Sequence, residues 1–479
     1  PRWFWCGASE VGRASSLFNG AGEQTLINRV SPTAQQREFL QTSWNELAEH
    51  LKVALKAKHG YTICTWLQGS YKYGTLIKPV HSDDEYDVDL GVYFEWGKGA
   101  EIEPTADQLR RWVQQELVDY QPQCPTMRSV AEPPKERCSR ASYEHQFHID
   151  TPVYHLNTDT DKRRLACLTK GWENSDPKAF YKWFRDARTG GQRDQLRRLI
   201  RYLKAWAALS FDDIPDSRPT SILLTVLATE AYGDIGLALL FGIEDDDALI
   251  SIIKTIHDRL NKDRRVQNPA TKAVEDLNRL SVEAWAALLP RLDALLDIAQ
   301  RADEAEGEPA AALIWTEAFS FLMQLPEVDE VDLVDEQTSR ALMQLPDIDI
   351  AVYTGSGDQR RFVANHRNQV AGVAKGCTLV FSIANPHILP PFATIEWTVR
   401  NKGLEAEAIS DLGHRKIGMG LLHAEERTRY QGTHHMDCII RVNGQVYAVR
   451  RVPVTIRDVH HVHTAPQPSY RRLSIRRRR

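Results

Sequence analysis

At 479 residues, with 42% hydrophobic and 26% charged side chains, the chain is long enough for two or three packed cores, which excludes a disordered or fibrous polypeptide. Its formal net charge is −4, yet Arg471, Arg472 and Arg476 to Arg479 crowd six positive charges into the last nine residues, so the body is more acidic still and is no general polyanion binder. No apolar run reaches the ~20 residues that cross a bilayer and no leader pattern follows Pro1, so a cytoplasmic protein without a membrane partner is expected.

Cys6, Cys64, Cys124, Cys138, Cys167, Cys377 and Cys438 are scattered and contain no Cys-x-x-Cys pair. Reduced thiols account for them better than a disulfide framework. A zinc site from Cys124, Cys138, His145 and His148 is the sharper alternative, at a spacing that matches no standard module.

Residues 1–27 show no sustained period and read as an N-terminal extension that docks loosely. Ser31-Pro32 then reads as an N-cap with proline at the first helical position. Phe39, Leu40, Trp44, Leu47, Leu51 and Leu55 recur at helical spacing and predict a long spine helix. Tyr61 to Leu67 reads as a strand running into a Gly69-Ser70 turn. In Tyr86 to Phe94 the alternation puts Asp87 and Asp89 on one face, about 6 to 7 Å apart, with Val88 and Leu90 on the other. After a helix near Ala106 to Tyr120, Gln146 to Asp150 repeats the pattern, with His148 and Asp150 on one face, and Pro152 is expected to end or edge that strand.

Further on, Arg197, Arg201 and Lys204 fall at i, i+4 and i+7 on one face of a helix, a solvated surface row unless the acidic body gives it another use. Ser221 to Tyr232, Ile235 to Phe241, Ala248 to Leu260, Val274 to Leu280, Val282 to Ala302 and Ala310 to Leu322 read as an all-helical block, with Asn268-Pro269 as a turn. Residues 326–355 form an acidic linker, with a short helix at Ser339 to Gln344. Beyond it the period becomes two: Thr378 to Ile383, Thr394 to Asn401, His435 to Val442 and Gln445 to Ile456 read as strands of a small β-sandwich, with Asn443-Gly444 as a hairpin turn. A basic tail, 461–479, completes the chain; it is either a solvated end or a contact for nucleic acid or an acidic partner. His434, His435, His460, His461 and His463 are assigned no metal, because adjacent strand residues point to opposite faces.

Carboxylates from two strands beside a Gly-Ser turn suit two-metal phosphoryl chemistry. Asp87, Asp89 and Asp150 make an all-oxygen set for two Mg²⁺ ions, with Mn²⁺ able to substitute. Gly69 permits close backbone approach, and Ser70 offers N–H and hydroxyl donors to phosphate.

Gln68-Gly69-Ser70-Tyr71, Asp87-Val88-Asp89 and His148-Ile149-Asp150 together resemble the nucleotidyltransferases of the DNA polymerase β superfamily, and Asp84 to Tyr93 is similar to the bacterial branch related to cGAS and DncV, the CD-NTases. The resemblance runs through Arg198 to Trp206 and Pro219 to Leu223, covering roughly residues 28 to 325. Ile395 to Glu405, Thr428 to His434 and Cys438 to Ile440 are similar to the adenylyl/guanylyl and SMODS-associated C-terminal sensor domain. The resemblance implies an α+β protein: a polymerase β-like catalytic lobe with its spine helix (28–165), a helical lobe (166–325), the linker, and a sensor-like sandwich (356–460). It implies an enzyme that joins nucleoside triphosphates into a cyclic di- or trinucleotide with release of pyrophosphate, as signal generator of a CBASS anti-phage system. Gly69 and Ser70 would hold the donor triphosphate, and Asp87, Asp89 and Asp150 the metals, Asp150 also assisting the attacking hydroxyl. Lys204 matches the family's phosphate-contacting lysine and Ser221 a pocket-lining position. The sandwich would take an activating ligand or regulatory protein. Two departures stand out: the loop from Tyr71 to Tyr86 is longer than minimal motifs of this kind, and Arg479 is not the small residue of members conjugated through their C-terminus. A transferase acting on a macromolecule or small acceptor would use the same carboxylates. A silent binding module would be free to lose one of them, and a sandwich that only packs would leave turnover unchanged on deletion.

Overall fold

A computed structural model describes residues 14–81, 84–97, 99–100, 102–325, 345–355 and 360–460. The short helix expected at Ser339 to Gln344, the basic tail, Cys6 and most of the acidic linker lie outside these residues. The described residues fall into two compact units, residues 14–325 with Ala406–Arg415, and the remainder from residue 345 onward.

The first unit is built on α1 (Ser15–Asn19), α2 (Leu26–Val30), α3 (Ala34–His59), β1 (Thr62–Gln68), α4 (Gly69–Tyr73), β2 (Tyr86–Trp96), α5 (Ala106–Tyr120), β3 (Met127–Val130), β4 (Cys138–Tyr143), β5 (Phe147–Asn157), β6 (Lys162–Cys167) and β7 (Gly171–Asn174). There follow α6 (Pro177–Ala187), α7 (Gly190–Ser210), α8 (Ser221–Asp234), α9 (Ala238–Phe241), α10 (Asp245–Lys262), α11 (Val282–Asp303) and α12 (Glu308–Phe319). The strands make one sheet in the order β1-β2-β5-β4-β3, with β6 on β5 and β7 on β6. Leu47, Leu51 and Leu55 of α3 and Leu109, Val113 and Leu117 of α5 bury completely against Val88 and Val92 of β2 and Ile149 and Val153 of β5. Because side chains alternate along a strand, this packing turns the carboxylates of β2 and β5 to the opposite face.

Four expectations need correcting. The spine helix is capped by Thr33, not Ser31: Thr33 Oγ1 accepts from Gln36 N at 3.1 Å, and Thr33 N donates back to Gln36 Oε1 at 2.9 Å. That reciprocal pair satisfies two helix-end donors that Ser31-Pro32 would leave open. Residues 14–27 are no loose extension, since Phe18 is fully buried with ring centroids 5.3 Å from Tyr202 and from Trp315. Five-residue helices are too short to display a period. Pro152 neither ends nor edges its strand, for β5 continues to Asn157 between β2 and β4. It lies opposite Cys138, where β4 begins and before β6 takes over opposite Tyr154, so the missing donor falls at a change of neighbour.

The fourth concerns Val274 to Leu280, which is not helical. The segment doubles back on Val266 to Asn268, with Asn268 N donating to Glu275 O at 2.8 Å and Leu277 N to Val266 O at 2.7 Å. Asp276 Oδ1 accepts from the N–H groups of Val266 and Asn278, local bonds that compete with a helix. The Asn268-Pro269 turn is where it was expected.

The second unit has β8 (Ile348–Thr354), β9 (Arg361–Arg367), β10 (Val370–Lys375), β11 (Thr378–Ile383), β12 (Thr394–Arg400), β13 (Gly413–Met419), β14 (His423–Arg427), β15 (Gly432–Val442) and β16 (Gln445–His460). A five-stranded sheet, β10-β16-β15-β12-β13, and a four-stranded sheet, β14-β11-β8-β9, share a core of Ile350, Phe381, Trp397, Met436 and Val452, which is the expected sandwich, except that β8 falls within residues 326–355, expected as linker, and pairs with β11 and β9. Asn443 and Gly444, both at positive φ, form the turn between β15 and β16.

Candidate functional site

β2 and β5 run parallel and in register, pairing Asp87 with His148 and Asp89 with Asp150. Four polar side chains therefore meet on one face. Ligand atoms of Asp87, His148 and Asp150 lie within 4.8 Å of one another, the single such cluster among the described residues. Cys124, Cys138 and His145 do not join His148 in it, and His145 instead packs edge-on against Phe39. The six described cysteines are free thiols.

Asp89 completes the acidic set from the side of α4. Gly69 sits at φ +61°, and a Cβ there would collide with Asp89 Oδ2, so only glycine lets this carboxylate reach the start of the helix. Loss of solvent around Asp89, added to the charges of Asp87 and Asp150, pushes its pKa well above the usual carboxylate range; Arg140 and Lys135 offset only part of this. A group of carboxylates strained in this way calls for cations, and the oxygen-rich set fits hard divalent ions.

Asp150 is held differently. Arg140 donates to it through Nε at 2.6 Å and through a terminal nitrogen at 2.8 Å, and Lys135 Nζ lies 3.5 Å away. Burial would raise its pKa, but the hydrogen bonds and charge of Arg140 hold it below the ordinary value. As a proton acceptor for an attacking hydroxyl it is thereby weakened; as an anionic ligand it is well prepared. His148 bridges Asp87 to one further carboxylate, its ring nitrogens 2.9 Å from Asp87 Oδ1 and 2.6 Å from Glu85 Oε2. Glu85, Lys135 and Arg140 escaped the sequence reading. The signal for Arg140 is its position opposite Asp150 on antiparallel β4, a register that no one-dimensional pattern supplies.

The Gly-Ser segment is fixed from both ends. Gln68 is buried, donating to Tyr93 Oη at 3.0 Å and accepting from Tyr154 Oη at 3.1 Å. Gly69 to Tyr73 then forms one short helix. On its far side the basic row of α7 is no solvated face: Arg197 Nε donates to Tyr73 O at 3.0 Å, Arg201 Nε to Leu76 O at 3.2 Å and Lys204 Nζ to Thr75 O at 2.8 Å. Three cations thus clamp the last carbonyl of α4 and two just beyond it, where its dipole favours positive charge. Burial lowers the Lys204 ammonium to about 8, although the charges of Asp87 and Asp89 pull it back upward. Ser221 opens α8, whose cap is Thr220.

Two cavities converge here. A cleft of about 350 Å³ is lined by Gln68, Gly69, Ser70, Asp87 and Asp89 with Tyr154, Phe180, Asn268, Glu275 and Arg279. A second, of about 160 Å³, is lined by Lys78, Glu85, Lys204 and Arg218. Ser70, Asp87 and Ser221 line both. Of the residues singled out in the sequence, Lys204 belongs to the smaller cavity and the others, apart from Asp150, to the cleft.

Residues 64–154 match the family model described as "Cyclic GMP-AMP synthase DncV-like, nucleotidyltransferase domain", and residues 333–457 match the "Adenylyl/Guanylyl and SMODS C-terminal sensor domain". A cyclic GMP-AMP synthase of Escherichia albertii is 28% identical over 422 residues, spanning 87% of this chain and 90% of that protein. A c-di-GMP synthase of Roseivirga ehrenbergii is 25% identical over 251 residues, 45% of this chain and 63% of its own length. Among solved structures, Vibrio cholerae DncV cyclic AMP-GMP synthase superposes with a TM-score of 0.54 at 18% identity, over 65% of this chain and 97% of that one, a likeness of fold.

Proposed function

We propose that this chain, a DncV-like nucleotidyltransferase carrying an adenylyl/guanylyl and SMODS C-terminal sensor domain, makes a cyclic dinucleotide from nucleoside triphosphates and releases pyrophosphate. The observation that carries this reading is the in-register meeting of Asp87, Asp89 and Asp150 beside Gly69 and Ser70, where two cavities share a wall. One cavity alone would serve a transferase with a macromolecular acceptor. Two that meet at the same carboxylate suit a pair of small nucleotides.

Asp87, Asp89 and Asp150 would hold divalent cations, which neutralise phosphate charge and favour an ionised hydroxyl when bound. Mg²⁺ fits the oxygen donors, and two ions are our reading of three carboxylates. A ribose hydroxyl of one nucleotide attacks the α-phosphorus of the other. The new bond is O–P, the bond broken joins the α-phosphorus to the bridging oxygen, pyrophosphate departs, and the hydroxyl proton passes to solvent. A second turn in the opposite sense closes the ring. Gly69 and Ser70 cradle the donor phosphates; Ser221, which lines both cavities, and Lys204, by its match to the family's phosphate-contacting lysine, would meet the rest of the nucleotide phosphates. Asp150, kept ionised by Arg140, orients the attacking end rather than removing its proton.

We further place this activity in the cytoplasm, where the triphosphate pool lies, as the signal generator of a CBASS anti-phage system whose C-terminal sandwich takes an activating ligand or regulatory protein. No described helix is long and apolar enough to cross a membrane.

The test is incubation of the purified chain with all four ribonucleoside triphosphates and Mg²⁺ or Mn²⁺, then phosphatase and mass spectrometry. A phosphatase-resistant cyclic dinucleotide is expected, absent from the Asp87→Asn/Asp89→Asn double variant. Linear product or acceptor labelling alone would overturn the reading. Loss of phage protection in cells carrying the double variant tests the defence role.

A further inference from the structure

Two groups among the residues lining the 350 Å³ cleft are chemically distinct. One is the acidic and Gly-Ser set already described; the other is Asn268, Glu275 and Arg279, from the loop between α10 and α11. Nothing in phosphoryl transfer requires this second group. It is nevertheless built with care: Val266 and Leu277 anchor the loop in the core, and Asn268 N donates to Glu275 O at 2.8 Å. The Glu275 carboxylate accepts from Asn268 Nδ2 at 2.7 Å on one oxygen and from an Arg279 terminal nitrogen at 3.1 Å on the other. A carboxylate has about four acceptor positions and a guanidinium five donors, so both retain bonding capacity toward a ligand.

We infer that Glu275 and Arg279 are specificity-determining residues that select guanine in the nucleotide held by this cleft. The inference rests on the reading that the cleft takes nucleoside triphosphates. Guanine is the base with two adjacent donors, N1–H and the 2-amino group, next to the O6 acceptor. A carboxylate receives the two donors while the neighbouring guanidinium donates to O6 or N7. Adenine and cytosine turn a lone pair toward the carboxylate at the same place, and uracil offers it one N–H between two carbonyls. Asn268, donating to Glu275 Oε2, holds that carboxylate in position and is a positioning residue.

The test is equilibrium binding of the α,β-methylene analogues of GTP and ATP to the full chain, with Mg²⁺, followed by calorimetry. The wild-type chain should prefer the guanine analogue by roughly tenfold or more, the value of one good bidentate base contact. Glu275→Gln and Glu275→Ala should both erase that preference by weakening the guanine analogue, with the adenine analogue nearly unchanged, and Arg279→Met should reduce it. Far-ultraviolet circular dichroism and melting unchanged from wild type show that each variant is folded. The inference is overturned if the wild-type chain binds neither analogue or shows no preference, or if the preference survives in both Glu275 variants. The two readings separate cleanly. Glu275-dependent guanine binding without cyclic product leaves the base selection standing and removes the proposed activity; a cyclic product whose guanine content is unchanged in Glu275→Gln does the reverse.

Discussion

Asp89 in the first unit and Asp437 in the second both lie on strands, on the sheet face turned away from the hydrophobic core. Asp437 is fully buried, and burial alone would raise its pKa. Arg400 donates to it at 2.6 Å and Arg451 at 2.9 Å, and their charges outweigh desolvation and hold it far below the ordinary carboxylate range. The next pair along, Glu396 with Arg441 at 2.9 Å, repeats the arrangement. Asp89 faces Asp87 and Asp150 instead, and its pKa rises. Depth therefore does not make a reactive carboxylate. The sign of the nearest neighbours does, because a neutralised acid is structure while a crowded one awaits a cation.

Breaking each side of this comparison has a different signature. The largest effect is expected from Asp87→Asn/Asp89→Asn, which removes several kcal/mol of transition-state charge stabilisation, about a thousandfold or more in turnover. Quantified cyclic product at matched protein concentration reads it, and near-normal yield would mean that the acidic site lies elsewhere. Asp437→Asn removes the buried carboxylate that Arg400 and Arg451 share, a loss of about 3–5 kcal/mol of stability in the second unit. Chemical denaturation should show it as a lower midpoint; an unchanged midpoint would deny that this pair is structural.

Gly69→Ala comes next, since its Cβ must displace Asp89 and the residue sits in a left-handed conformation. The strain is of order 1–3 kcal/mol, and a carboxylate moved by about 1 Å loses on the order of a hundredfold in rate. A variant with wild-type turnover would separate Asp89 from the Gly-Ser segment. The smallest effect is in stability against pH. Because the Asp89 pKa is raised on folding, the native state keeps a proton that the unfolded state has lost, so this contribution is present below the unfolded pKa and disappears as pH rises through the folded value. Asp437 runs the other way: its stabilisation is present above the unfolded pKa and disappears as pH falls through the depressed folded value. Metal-free Asp89→Asn should therefore melt slightly above wild type near neutral pH and gain less from added Mg²⁺, whereas Asp437→Asn should melt lower and lose part of the wild-type response to acid.

Much of the site was legible because strand alternation is local. Asp87 and Asp89, and likewise His148 and Asp150, share a face by the period of two alone, whereas the turn expected at Gly69-Ser70 is the first turn of the short helix α4. What failed was of two kinds. Val274 to Leu280 has apolar spacing that suits a helix, but Asp276 and Asn278 bond to nearby N–H groups and turn it into the loop that brings Glu275 and Arg279 to the cleft. The basic row of α7 has the look of a solvated face, and only the packing of α7 behind α4 shows that Arg197, Arg201 and Lys204 meet carbonyl oxygens.

The sequence by itself determined which residues could share a face, where the chain turns, and that an acidic set stands beside a Gly-Ser segment, because these follow from backbone periods within a few residues. Tertiary structure alone decided the charges: that Arg140 neutralises Asp150, that Asp89 is crowded by Asp87 and Asp150, and that Asp437 is paired on both sides. Those outcomes depend on register between strands far apart in the chain, and Coulomb energy depends on distance in space, which residue number does not encode.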